Sequence, residues 1–183
     1  MNKYINLPIN KEDIKKLKAG DAVFLSGVIY SARDAAHKRM EETLKRNEKL
    51  PFNIENSCIY YLGPSPAREN QIIGSAGPTT SGRMDKYTPE LLDLGLKIMI
   101  GKGRRSIEVK KSMKQNGAIY LAAVGGAGAL LSKCIVESEI IAYEDLGTEA
   151  IRKMVVKDFP AIVVIDIDGT DLYEKAIIEY KTI

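Results

Sequence analysis

Four short segments gather residue types that can hold or polarise a carboxylate. The first, Ser31-Ala32-Arg33-Asp34-Ala35-Ala36-His37-Lys38-Arg39, lies where an apolar run gives way to a charged one with helical spacing. Arg33 falls near the helix start, where backbone N–H groups and the helix dipole favour anions. A guanidinium there can grip a carboxylate bidentately; the competing reading is an ion pair with Asp34 or another surface acid. The second, Gly74-Ser75-Ala76-Gly77-Pro78-Thr79-Thr80-Ser81-Gly82-Arg83-Met84-Asp85, packs glycines, three successive hydroxyls and an arginine into one turn. Such a turn brings backbone N–H and hydroxyl donors close to a ligand, and Arg83 shares a face with Thr79 if a helix begins early. Plain N-capping by Thr or Ser is the alternative. The third, Gly101-Lys102-Gly103-Arg104-Arg105-Ser106, lets Lys102 project with little crowding, or is an exposed basic turn; it lacks the spacing of a phosphate-binding loop. The fourth, Gly125-Gly126-Ala127-Gly128, fails the dinucleotide spacing and reads as close backbone packing.

The single histidine, His37, has Asp34 three residues before it but no nucleophile elbow or neighbouring cysteine, so a structural or helix-capping role is expected. Cys58 and Cys134 sit in apolar sequence with no CxxC, and read as small buried hydrophobes. Two cysteines cannot supply the three or four thiolates that iron–sulfur clusters usually take, and no metal site is expected in this chain.

The elements that must position these residues alternate along the chain. Ala22–Tyr30, Cys58–Leu62, Gln71–Ala76, Ile98–Ile100, Ala118–Val124, Cys134–Ala142 and Ala161–Asp168 read as strands. KEDIKKL, residues 32–49, Pro89–Leu94 with Thr88 as N-cap, 106–116 closed by Gly117, 129–133 and Thr148–Met154 read as helices. Strands alternating with helices indicate an α/β domain. No linker divides residues 1–183, and the tail after about residue 170 reads as a terminal helix or partly ordered segment.

Composition sets the remaining bounds. The 183 residues are 45% hydrophobic and 28% charged, with a net charge of +3, too mild for a nucleic-acid or anionic-membrane partner. No apolar run approaches the roughly 18 residues of a membrane span, and the opening MNKYINLPINKEDIKKL has no signal-peptide core. The expected location is the cytoplasm.

Together, VIYSARDAAHKRM, NSCIYYLGPSPA, IGSAGPTTSGRMDKYTPELLDLGLKIMIGKGRRS and AIYLAAVGGAGAL resemble the β (small) subunit family of class I fumarases and L(+)-tartrate dehydratases, over about residues 20–130. Ser31-Ala32 stands where that family often has Thr-Gly. The resemblance implies a single swivelling β/β/α domain. It implies a larger α subunit as partner, carrying a 4Fe–4S cluster on three cysteines, in a heterotetramer of two α and two β subunits. It implies that Arg33, Arg83 and Lys102 bind a four-carbon dicarboxylate and that Thr79 and Lys102 are catalytic, Thr79 moving the proton. The implied reaction is the reversible hydration of fumarate to (S)-malate. Tartrate or mesaconate as substrate, or a non-catalytic dicarboxylate-binding module, remain alternatives.

Overall fold

The β-branched and aromatic runs pair side by side into one sheet, described over residues 2–180 of the computed structural model. In chain order the elements are β1 (Lys3–Leu7), α1 (Lys11–Lys15), β2 (Ala22–Ser31), α2 (Asp34–Lys45), β3 (Cys58–Tyr60), α3 (Thr88–Asp93), β4 (Ile98–Gly101), α4 (Ile107–Asn116), β5 (Ile119–Ala122), α5 (Gly128–Leu131), β6 (Ile135–Ala142), β7 (Ile151–Ile165) and α6 (Leu172–Tyr180). Short 3-10 turns cover Ser81–Met84, Ser132–Cys134 and Glu144–Glu149.

The strand order is β1-β2-β3-β4-β5-β7-β6, and β7 also pairs antiparallel with β2. That extra pairing closes β2, β3, β4, β5 and β7 into a five-stranded barrel. β1 shares an edge of β2 with β3, and β6 shares an edge of β7 with β5. The architecture is therefore α/β, with parallel strands β1 to β5 and antiparallel β6 and β7. Closure needs a bend. Between Leu25/Phe159 and Gly27/Val156 the register of β2 on β7 slips, with Asp158 at φ 49° and Gly27 at φ 123°.

Period-2 alternation sorts each barrel strand between two cores. Leu25, Ile29, Cys58, Tyr60, Ile98, Ile100, Ile119, Leu121, Phe159 and Val163 fill the barrel. Ile59, Tyr61, Met99, Tyr120 and Val164 pack outward against Met40 of α2, Leu91 of α3, and Val109 and Met113 of α4. Both faces of β3, β4 and β5 are buried, which is why their sequences run continuously apolar.

Three expectations are corrected. Gln71–Ala76 is not a strand: both edges of β3 are taken by β2 and β4, so this run lies as a loop. It is held by Ser75 N–H to Ser65 Oγ (2.8 Å) and Ala76 N–H to Gly128 O (3.0 Å). Thr148–Met154 is not a helix; β7 begins at Ile151, and pairing with β2 and β6 outweighs local propensity. Tyr87, not Thr88, occupies the N-cap of α3. β1, unmarked in the sequence reading, pairs parallel with β2 from Lys3 to Leu7. Of the expected tail, α6 accounts for Leu172–Tyr180, and residues 181–183 lie outside the described residues.

Where β1 ends, β2 has no room for a side chain. A Cβ on Gly27 would lie 2.4 Å from the Leu7 carbonyl oxygen, in a left-handed backbone conformation. Gly27→Ala is expected to destabilise the fold by more than about 1 kcal/mol, lowering the midpoint of thermal unfolding by at least about 2–4 °C. An unchanged midpoint would contradict this close approach.

Candidate active site

Because β2, β3 and β4 are parallel, the loops that follow them open on one rim of the barrel, where α/β sheets place ligands. Arg33 follows β2 and is the N-cap of α2, Gly63 follows β3, and Lys102 follows β4. Thr79 is distant in sequence from β3 but returns to it, its N–H donating to Tyr61 O at 2.8 Å. Lys102 N–H then donates to Thr79 O (3.3 Å) and Ser81 N–H to Lys102 O (2.9 Å), so Thr80 and Lys102 form a parallel bridge beyond β4. Thr79 and Lys102 are thus backbone neighbours.

The two arginines meet at one atom. Arg33 Nε donates to Asp34 Oδ2 at 3.2 Å, and Arg83 Nη1 lies 3.9 Å from the same oxygen. The ion pair with Asp34 that the sequence offered as the alternative role of Arg33 is present, and it links Arg33 to Arg83. Arg33 also lies 3.5 Å from Glu149 Oε1. Gly63 makes room for it: a Cβ there would sit 2.8 Å from Arg33 Cδ and 3.0 Å from Nη1. Arg83 and Lys102 are exposed, Arg33 and Thr79 half-buried. N-capping does not account for the hydroxyls. Thr80 holds the N-cap position of the Ser81–Met84 turn without a side-chain bond, and Ser81 Oγ bonds Tyr120 OH at 2.8 Å.

Beneath the rim, one residue of the expected exposed basic turn lies in the interior. Arg105 is buried, its Nε donating to Asp85 Oδ1 at 2.7 Å and its Nη2 to Thr88 Oγ1 at 2.9 Å. Its guanidinium carbon lies 5.3 Å from the centroid of the Tyr61 ring and 5.1 Å from that of Tyr120, within cation–π range. Asp85 Oδ2 accepts from Ser106 N–H at 2.6 Å, and Tyr120 OH donates to Gly103 O at 2.9 Å. The loop bearing Thr79 and Arg83 is thereby fastened to the loop bearing Lys102. Partners at positions 61, 85, 88 and 120 have no short-range spacing that sequence reading could detect. Of the glycine run after β5, only Gly128 packs closely; Gly125 and Gly126 are exposed, and a Cβ on Gly126 would meet nothing within 4 Å. A Cβ on Gly128 would lie 2.3 Å from Ser75 Oγ and 2.9 Å from Gly77 N, and one on Gly125 would lie 3.8 Å from Lys102 Cδ.

A family model described as Fumarase C-terminus matches residues 2–176. The chain belongs to the Fumarase C-terminus family. A Methanocaldococcus jannaschii protein with the provisional name L(+)-tartrate dehydratase subunit beta is 41% identical over 173 residues, covering 91% of this chain and 89% of its own length. Fumarate hydratase 2 of Leishmania major is 39% identical over 178 residues, covering 93% of this chain but 31% of its own length. The aerobic class I fumarate hydratase of Escherichia coli K12 is 41% identical over 153 residues, covering 82% of this chain and 28% of its own length. The chain thus spans less than a third of these two fumarate hydratases. The named activities of these relatives are those of hydro-lyases.

Other features of this family member sit around the rim. His37 is buried below Arg33, its Nδ1 lying 3.0 Å from Arg33 O, which also accepts His37 N–H at 2.9 Å. The tautomer with Nδ1 protonated fits that acceptor and leaves Nε2 unpartnered beside Tyr61 and Tyr87. His37 therefore fixes the backbone at the start of α2. Cys58 lies inside the barrel, where burial pushes its thiol up, while Cys134 is half-buried at the Ser132–Cys134 turn. Among the described residues no three His, Cys, Asp or Glu side chains gather closely enough to hold a metal ion. The two cysteines fall short of the three or four thiolates that iron–sulfur clusters usually take. No described helix is long and apolar enough to cross a membrane. A cavity of about 290 Å³ lies at the opposite end of the strands, between Ile9, Lys97 and Gly117.

Burial lowers the His37 pKa from 6.5 to about 4, the bond to Arg33 O opposing and Arg105 reinforcing the shift. The unfolded chain therefore takes up this proton first. The stability that His37 contributes is whole above pH 6.5 and is lost as pH falls toward 4. Between pH 6.5 and 5, unfolding free energy is expected to fall more steeply in the wild type than in His37→Asn, by up to about 1.4 kcal/mol per pH unit. Parallel pH profiles from denaturant unfolding would contradict a buried neutral His37.

Proposed function

We propose that this chain is the β subunit of a two-subunit iron–sulfur hydro-lyase that reversibly hydrates fumarate to (S)-malate in the cytoplasm. Its barrel is then a swivelling β/β/α domain set against a larger α subunit, in a heterotetramer of two of each. One observation carries the reading. The chain matches a protein named as a subunit beta over nearly its whole length, yet matches less than a third of two fumarate hydratases. A 4Fe–4S cluster belongs, on this reading, to the α subunit, as do the groups that meet the departing hydroxyl.

The residues of this chain serve the other half of the reaction. Dehydrating malate removes a weakly acidic C–H proton beside a carboxylate, and the electron pair left behind delocalises into that carboxylate. Fixed cations lower the cost of this developing charge. Arg33 and Arg83 offer planar forks for carboxylate oxygens, and Lys102 adds a point charge. Thr79, bound through its backbone to Lys102, is the proposed proton carrier; its hydroxyl needs the neighbouring cations to act as a base. Dehydration of L(+)-tartrate is the second reading, favoured by the near full-length relative bearing that name.

Co-expression with the larger chain is expected to yield fumarate hydration, followed by fumarate's ultraviolet absorbance, with this chain alone inactive. Turnover by this chain alone would contradict the two-subunit reading, and turnover of tartrate but not fumarate would select the second substrate. In the complex, Thr79→Val is expected to lower kcat by about 10²-fold or more, the scale of general acid–base catalysis, with little change in KM. A near-normal kcat would remove Thr79 from the proton path.

A further inference from the structure

Arg33 is held from a distant part of the chain. Glu149 closes the Glu144–Glu149 turn just before β7, and its Oε2 accepts Ala35 N–H at 2.8 Å. That N–H is one of the free donors at the start of α2, which the Arg33 side chain does not cap. The other oxygen, Oε1, lies 3.5 Å from Arg33 Nε. The turn is fastened to α2 again farther along, where Asp145 accepts both Arg39 Nη1 (2.6 Å) and Nη2 (2.8 Å), with Arg39 over the Tyr143 ring. Glu149 is therefore set by the fold rather than by its own reach.

A guanidinium can meet a carboxylate along the edge that includes Nε or along the edge formed by its two terminal nitrogens. In Arg33 the Nε edge faces Asp34 and Glu149. Asp34 makes the shorter contact with Nε, 3.2 Å against 3.5 Å for Glu149, but its same oxygen also lies 3.9 Å from Arg83 Nη1. We propose that Glu149 is a positioning residue for Arg33: it occupies the Nε edge and turns the terminal edge toward an incoming substrate carboxylate. The proposal deepens the reading above and rests on Arg33 binding substrate.

Glu149→Gln separates this role from the cap. The amide oxygen can still accept Ala35 N–H, while the charge beside Arg33 is lost. In the complex with the α subunit, KM for fumarate is expected to rise about tenfold with kcat within about twofold, since the lost interaction serves binding. The melting temperature should stay near that of the wild type. The Arg33 Nε–H resonance, read by nitrogen-15 NMR without turnover, should shift in the variant. Arg33→Lys is the control. If it leaves KM unchanged, the substrate-binding reading falls and this inference with it. If Arg33→Lys raises KM but Glu149→Gln changes neither KM nor the Arg33 resonance, the role of Glu149 alone is overturned. A fall in melting temperature with unchanged KM would reduce Glu149 to a cap.

Discussion

The candidate site depends on how Arg105 keeps its charge away from water. Burial works against that charge, yet Tyr61, Asp85 and Tyr120 together leave its pKa raised. Losing one member of such a buried pair typically costs about 3–5 kcal/mol, because the other is left charged and unpaired. Asp85 belongs to the Gly82-Arg83-Met84-Asp85 stretch and Arg105 to the Gly103-Arg104-Arg105-Ser106 stretch, so the pair joins two loops that leave different strands. The Thr80–Lys102 bridge and the bond between Ser81 and Tyr120 run between the same loops. The exposed groups of the rim are therefore carried on a rigid base, which is what a preorganised anion site requires.

A second constraint acts on Arg33 from α2. His37 donates twice to its carbonyl, Gly63 leaves space against its side chain, and Asp34 and Glu149 face its Nε. Arg83 reaches the same Asp34 oxygen from the loop held by Arg105. One carboxylate thus relates the two arginines, although they leave different strands of the barrel.

Much of the barrel was legible because β3, β4 and β5 are apolar on both faces, and an uninterrupted run such as Ile98–Gly101 has few alternatives. The first half of β7 was not legible. Arg152, Lys153 and Lys157 break its apolar pattern, and pairing with β2 and β6 forms the strand. Gln71–Ala76 misled in the opposite sense, because strand propensity cannot create a free edge on a closed barrel. The residue types at Arg33, Thr79, Arg83 and Lys102 stood out locally, through glycines and hydroxyls around a cation. Arg105 and Glu149 did not, because their meaning lies in partners that only the topology brings near.

Many cationic surfaces bind anions weakly, so what distinguishes this account is where a dicarboxylate sits. The most direct measurement is a crystal structure of the chain in complex with the cluster-bearing subunit and bound (S)-malate. One malate carboxylate is expected at the terminal nitrogens of Arg33, with Arg83 or Lys102 within hydrogen-bond reach of the ligand and Thr79 Oγ1 beside the C–H carbon. Malate held wholly by the partner, or found at the far end of the barrel near Lys97, would contradict it.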